Sequence, residues 1–142
     1  NNTPREIIFY ILTMINVGFI EEIIFRGFLF KMIEKESLNK AIIISSLTFG
    51  IGHIVNLLNG ESLIPTLFQI CYAISIGYLF VTIFISSKSL FPCIITHALI
   101  NSLAIFNVQN EISTYLIPII LIIISLGYSF YIKKTQTKYH KA

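Results

Sequence analysis

Three charged side chains lie close together within an otherwise apolar stretch near the start of the chain, at Glu21, Glu22 and Arg26. Glu22 and Arg26 are four residues apart, so on a helix they share a face and can form an ion pair. Glu21 is rotated by about 100° around the helix axis from Glu22, so it cannot pair with Arg26 equally well. One carboxylate can thus be neutralised while its neighbour stays free for chemistry. The simpler alternative is an ion pair that reaches toward the membrane edge.

Two histidines and an asparagine occur in later apolar stretches. His53 follows Gly50 and Gly52, which allow close helix packing beside it. His97 and Asn101 are four residues apart and share a helix face. Each histidine on its own could simply donate a hydrogen bond between helices, so only their combination with the glutamates indicates a site.

A Glu and a His that converge on one water can act as a general base. A His and an Asn on one helix face can donate two hydrogen bonds to an oxyanion. Together they indicate amide hydrolysis without a covalent intermediate. A zinc ion held by Glu21, His53 and His97 is the alternative, although no HExxH spacing supports it. Haem ligation by the two histidines is a weaker alternative.

The composition is that of a polytopic membrane protein. Hydrophobic residues make up 55% of the chain and charged residues 12%, whereas soluble domains carry roughly 25% charged residues. This balance excludes an ordinary soluble enzyme, a disordered tail and a typical nucleic-acid-binding protein. All seven acidic residues are Glu, and the two cysteines cannot form a disulfide scaffold.

The apolar stretches predict an all-α fold, a bundle of about five spanning helices, because about 20 apolar residues cross a bilayer. Pro65, Pro92 and Pro118 each fall near the start of a stretch, where a missing N–H costs least. The predicted spans are Ile7–Phe30, Ala41–Leu58, Leu63–Ile85, Leu90–Phe106 and Tyr115–Ile132.

Charge placement predicts the orientation. If the five spans alternate, the side with the N-terminus, the turn after Leu58 and the predicted loop Asn107–Thr114 carries only Arg5. We therefore expect the other side, including the C-terminus, to be cytoplasmic. Eight lysines fall on that side: Lys31, Lys35, Lys40, Lys88, Lys133, Lys134, Lys138 and Lys141.

The polar residues are predicted to lie at similar depths. Three charges near a helix centre cost roughly 8 kcal/mol, about what the apolar residues of the first span return, so this helix needs partners. Counted at about 1.5 Å per residue, Glu21, Glu22, His53, His97 and Asn101 lie roughly 10 to 18 Å from the cytoplasmic helix ends. Three helices thus supply one layer of polar side chains.

These residues resemble the motifs of a known family. The segments Glu21-Glu22-Ile-Ile-Phe-Arg26, Phe49-Gly-Ile-Gly-His53 and His97-Ala-Leu-Ile-Asn101 match, in order, the EExxxR, FxxxH and HxxxN motifs. These belong to the CAAX-protease and bacteriocin-processing family of intramembrane proteases, also called the Abi family. The resemblance implies an all-helical membrane endopeptidase with a site open toward the cytosol.

The resemblance also implies roles for single residues. Glu21 looks like the general base that activates water with His53, and Glu22 and Arg26 look like the supporting pair, although Glu22 could share the catalytic role. Phe49 looks like a packing residue beside the site. The oxyanion would be stabilised by His97 and Asn101. Family members are described both as metalloproteases and as metal-free glutamate proteases; the metal-free version is favoured slightly.

The sequence leaves two functions open. The first is an intramembrane endopeptidase that acts on a peptide or lipidated peptide. An Ile-, Lys- and Asn-rich, Trp-free composition suggests an AT-rich bacterial genome. A bacterial protein of this kind would serve bacteriocin self-immunity or peptide processing in the plasma membrane. The second is a non-proteolytic scaffold or immunity protein that binds a partner. Since the chain starts at Asn1, we expect residues 1–142 to form a single protease domain that lacks upstream helices.

Overall fold

The computed structural model describes residues 3–106 and 110–139, and all of their side chains except those of residues 111, 112 and 137–139. This part of the chain contains five helices and no strand, which confirms the predicted all-α fold. The helices are α1 (Pro4–Glu34), α2 (Leu38–Leu57), α3 (Leu63–Ser87), α4 (Phe91–Phe106) and α5 (Glu111–Tyr139).

Four of these helices, all but α4, are long and apolar enough to cross a membrane, so the chain is an integral membrane protein. At about 1.5 Å per residue α4 is roughly 24 Å long, less than the ~30 Å of a bilayer core. The helices extend beyond several predicted spans: α1 begins at Pro4 and ends at Glu34, and α5 spans Glu111–Tyr139.

Local sequence explains where several helices begin. Thr3 caps α1 in a reciprocal arrangement with Glu6, and Pro4 occupies the first turn. The Ser37 side chain accepts a hydrogen bond from the backbone N–H of Lys40 at the start of α2. The prediction for Pro118 was wrong, because α5 begins at Glu111 and so encloses this proline. Lys141 and positions 107–109 of the predicted loop lie outside the described residues.

Helix α3 forms the centre of the bundle. It packs most extensively against α2 and α5, while α1 packs mainly against α4. One buried apolar cluster gathers the end of α1, the start of α2, the end of α3 and the start of α4, through Phe30, Ala41, Phe84 and Cys93. Four helix ends thus meet at one end of the bundle, where Lys35 connects α1 to α2 and Lys88 connects α3 to α4. That this end is cytoplasmic stays a prediction.

Close approach of α2 and α3 depends on two glycines. A Cβ added at Gly50 would stand 2.6 Å from the backbone nitrogen of Ile74 and 2.9 Å from the carbonyl oxygen of Ile70. One added at Gly77 would stand 3.1 Å from the carbonyl oxygen of Ser46. The predicted packing role of Gly50 is therefore confirmed. That of Gly52 was wrong, since nothing lies within 4 Å of its Cβ position.

We predict that Gly50→Ala lowers the thermal unfolding temperature of the detergent-solubilised protein, because the new methyl group meets backbone atoms that cannot rotate away. Overpacking of this kind costs about 1–3 kcal/mol. The matched control is Gly52→Ala, where the methyl group enters open space and stability should be unchanged or slightly higher. Equal unfolding temperatures for the two variants would contradict this account of α2–α3 packing.

Candidate active site

The backbone of α1 changes geometry at the candidate site. A regular α-helix ends at Glu22, and a π-helical segment, Ile23–Phe30, follows and carries Arg26. Such wide segments are rare and often occur at functional sites. The buried Ser45 of α2 donates a hydrogen bond of 3.0 Å to the carbonyl oxygen of Phe25 within this segment. The neighbouring helix thus supports the irregular backbone that positions Arg26.

Glu22 and Arg26 form the ion pair that their spacing predicts. Arg26 Nη1 lies 3.0 Å from Glu22 Oε1, and both side chains are fully buried. The second terminal nitrogen, Nη2, donates to the carbonyl oxygen of Gly77 on α3 at 2.9 Å. Complete burial excludes the simpler alternative of a pair that reaches the membrane edge.

Three phenylalanine rings surround the Arg26 guanidinium. Its Cζ atom lies 4.5 Å from the ring centroid of Phe49, 5.1 Å from that of Phe80 and 5.9 Å from that of Phe25. Aromatic faces attract a cation, and the attraction is stronger when the cation is desolvated. These rings, from α1, α2 and α3, therefore offset part of the cost of burying the charge.

His97 links the buried pair to α4. Its Nδ1 lies 2.9 Å from Glu22 Oε1, and its Nε2 lies 3.6 Å from Glu21 Oε2. The imidazole stacks on Phe80 at a centroid distance of 5.0 Å. A Cβ at Gly18 would stand 3.1 Å from the Ala98 backbone nitrogen, so the lack of a side chain at Gly18 favours the close approach of α1 and α4.

The two adjacent glutamates differ in their surroundings. The Glu22 side chain is fully buried and bound to both Arg26 and His97, whereas 32% of the Glu21 side chain is exposed. Glu21 Oε2 contacts His97 Nε2 at 3.6 Å. This is the asymmetry that the spacing indicates: one carboxylate is held within the bundle, and the other stays partly exposed.

The other two predicted site residues lie near this cluster without joining it directly. His53 makes no ion pair with either glutamate among the described side chains. The Phe49 ring makes T-shaped contacts with both histidines, at centroid distances of 5.9 Å to His53 and 5.4 Å to His97. Asn101 is half-buried one helical turn beyond His97, and its backbone oxygen accepts a hydrogen bond from the Tyr10 hydroxyl.

A family model for type II CAAX prenyl endopeptidases of the Rce1-like type matches residues 3–103. The chain belongs to this Rce1-like family. The match covers α1 to α3, most of α4 and every residue of the three motifs, and it confirms the resemblance drawn from them. No curated protein and no solved structure matches the chain. Family membership makes the protein a CAAX-type membrane endopeptidase; it does not assign the roles of single residues.

The side chains do not assemble the alternative zinc set. Within residues 3–106 and 110–139, no three or more His, Cys, Asp or Glu side chains are grouped as a metal ion would require. Glu21 and His97 approach each other at 3.6 Å, whereas the contacts of the His53 ring among the described side chains are with Phe49 and Gln69.

Several residues of this Rce1-like site were not predicted from the sequence. Gly77 and Phe80 contact Arg26, Ser45 supports the π-helical segment, and Gln69 contacts His53. The sequence does indicate a role for Gln69, because a lone amide within the apolar stretch of α3 needs a hydrogen-bond partner. A sequence does not show which backbone carbonyl, such as that of Gly77, accepts a hydrogen bond from a distant side chain.

We predict that Arg26→Lys inactivates and destabilises this Rce1-like protein although the charge is kept. Lysine has no planar fork that could bond Glu22 and the Gly77 carbonyl together. The loss of one charge-assisted hydrogen bond costs about 1.5–3 kcal/mol, which thermal unfolding in detergent would detect. The control is Arg5→Lys, since Arg5 is exposed and lies over the Phe9 ring. Wild-type stability in Arg26→Lys would refute the role of the fork.

Proposed function

We propose that the protein hydrolyses a peptide bond within the membrane by means of a water molecule that Glu21 activates. The observation that carries this proposal is the difference between Glu21 and Glu22. Both are carboxylates on the same turn of α1, but Glu22 is fully buried with its Oε1 bound to Arg26 and His97, whereas Glu21 remains partly exposed. A general base must be able to reach water and to release its proton again.

The reaction needs two proton transfers. Glu21 removes a proton from water while the water oxygen attacks the carbonyl carbon of the substrate, which gives a tetrahedral oxyanion. When the C–N bond breaks, the protonated Glu21 returns this proton to the leaving amine. No covalent link between enzyme and substrate forms, so a nucleophilic side chain is not needed.

His97 and Asn101 are proposed to stabilise the oxyanion. Because His97 Nδ1 is engaged by Glu22, a hydrogen bond to the oxyanion must come from Nε2–H. Arg26 balances the charge of Glu22, so this buried ion pair is neutral as a whole. A neutral pair suits a site with little water around it. The Asn101 amide adds a second donor one turn away.

Glu22 and Arg26 are proposed to hold this arrangement without touching substrate. Their ion pair fixes His97 from one side, and Phe80 stacks on its ring from another. A rigid donor costs little reorganisation when charge develops during the reaction.

The proposed substrate is a peptide or lipidated peptide at the membrane, and the proposed setting is a bacterial plasma membrane with the C-terminus in the cytoplasm. The lysine-rich end of the bundle supports this orientation. Bacteriocin self-immunity and peptide processing are the proposed roles. A scaffold that binds a partner does not need an exposed carboxylate beside a buried, neutralised one.

We predict that Glu21→Gln abolishes cleavage at unchanged abundance. General acid–base catalysis contributes about 10²- to 10⁴-fold to the rate, and an amide cannot accept the proton from water. Peptide termini in membranes of cells with the wild type and the variant should be compared by mass spectrometry, and termini that vanish in the variant identify substrates. Glu34→Gln is the control, because Glu34 pairs with Lys31 at the end of α1.

If every peptide terminus persists in cells with Glu21→Gln and the phenotype of these cells is unchanged, the proposed role of Glu21 is contradicted. That result would favour a partner-binding function. Loss of the same termini in Glu34→Gln would show that any change of charge on α1 has this effect.

A further inference from the structure

Two amide side chains connect His53 to the bundle. Asn56 Nδ2 donates a hydrogen bond of 2.7 Å to Gln69 Oε1, and Gln69 Nε2 lies 3.4 Å from His53 Nδ1. His53 and Asn56 belong to the 3₁₀ segment at the end of α2, and Gln69 belongs to α3. All three side chains are half-buried. The chain of contacts therefore joins two helices beside the candidate site.

The chemistry of an amide fixes the direction of this chain. An amide oxygen only accepts hydrogen bonds, and an amide nitrogen only donates them. Because the Gln69 oxygen is occupied by Asn56, the Gln69 nitrogen faces the ring of His53. His53 Nδ1 must therefore accept, and a neutral imidazole that accepts at Nδ1 carries its proton at Nε2.

We propose that Gln69 is a positioning residue that, with Asn56, holds His53 as a neutral imidazole with its proton on Nε2. His53 then donates a hydrogen bond through Nε2–H and does not remove a proton. This inference rests on the proposed function, because it leaves Glu21 as the only base that takes the proton from water. It also refines the prediction that Glu21 and His53 act together as the base.

The surroundings of His53 support a neutral imidazole. The Phe49 ring packs against it at a centroid distance of 5.9 Å. Among the described side chains no carboxylate pairs with His53, so a positive charge on this ring would lack a counter-ion. A neutral ring that donates at Nε2 can still orient water without adding a charge.

The tautomer can be measured without a substrate. The chain has three histidines, so ¹⁵N-histidine labelling in detergent micelles gives few signals, and His53→Phe assigns those of His53. We expect a one-bond N–H coupling at Nε2 of His53, because this nitrogen carries the proton. In Asn56→Asp the carboxylate accepts from the Gln69 N–H and turns the Gln69 oxygen toward His53, so the coupling should move to Nδ1. Asn16→Asp is the control, since Asn16 donates to Leu12 on the exposed side of α1.

A wild-type His53 with its proton on Nδ1 would overturn the proposal, and so would an Asn56→Asp variant whose tautomer is unchanged. Because Asn56 does not contact the ring in this chain of bonds, a change that only loosened the fold would not move a proton between the two nitrogens.

Kinetics give a second test, with a synthetic peptide that spans a terminus lost in Glu21→Gln. We expect Gln69→Leu and Gln69→Glu to lower kcat about tenfold, equivalent to one hydrogen bond, with KM unchanged. Cys71→Leu, at an exposed position on the same helix, should retain wild-type kinetics. Full kcat in both Gln69 variants would refute the positioning role even if the tautomer is as expected. Full activity in Glu21→Gln would instead refute the proposed function and leave the tautomer result intact.

Discussion

The structure depends on the burial of one positive charge, that of Arg26, within an apolar bundle. A desolvated guanidinium is tolerated only if carboxylates, carbonyls and aromatic faces replace the water that it loses. Glu22 supplies the carboxylate, Gly77 the carbonyl and three phenylalanines the aromatic faces. Because these groups come from α1, α2 and α3, the positions of three helices are tied to a single side chain.

The same constraint separates the functions of two identical neighbours. Glu22 neutralises Arg26 and binds His97, so α4 is joined to the network as well. Glu21, one position earlier, lies on a different side of α1 and stays partly exposed. A helix that presents adjacent residues about 100° apart can therefore hold one carboxylate inside the bundle and leave its neighbour partly exposed, and the exposed one is the base that we propose. The Rce1-like family match covers all of these positions.

Much of this arrangement could be predicted from the sequence. The four-residue spacing of Glu22 and Arg26 gave their ion pair, and the length of the apolar stretches gave the all-α bundle. Periodicity assumes a regular helix, however, so it missed the π-helical segment at Ile23–Phe30. Depth along a helix axis places His53 in the same layer as Glu21, but it does not report the contacts of the imidazole, which are with Phe49 and Gln69. The contact between Gln69 and His53 depends on how α2 and α3 pack, which no local pattern records.

The most direct test of this account is the thermal stability of the purified protein in detergent for Glu21→Gln and Glu22→Gln. The two substitutions are chemically identical and affect adjacent residues. We expect Glu22→Gln to lose about 3–5 kcal/mol of stability, because Arg26 is left buried without a carboxylate, and Glu21→Gln to unfold at the wild-type temperature. Equal unfolding temperatures for the two variants, or a greater loss in Glu21→Gln, would contradict the division into a structural and a reactive glutamate.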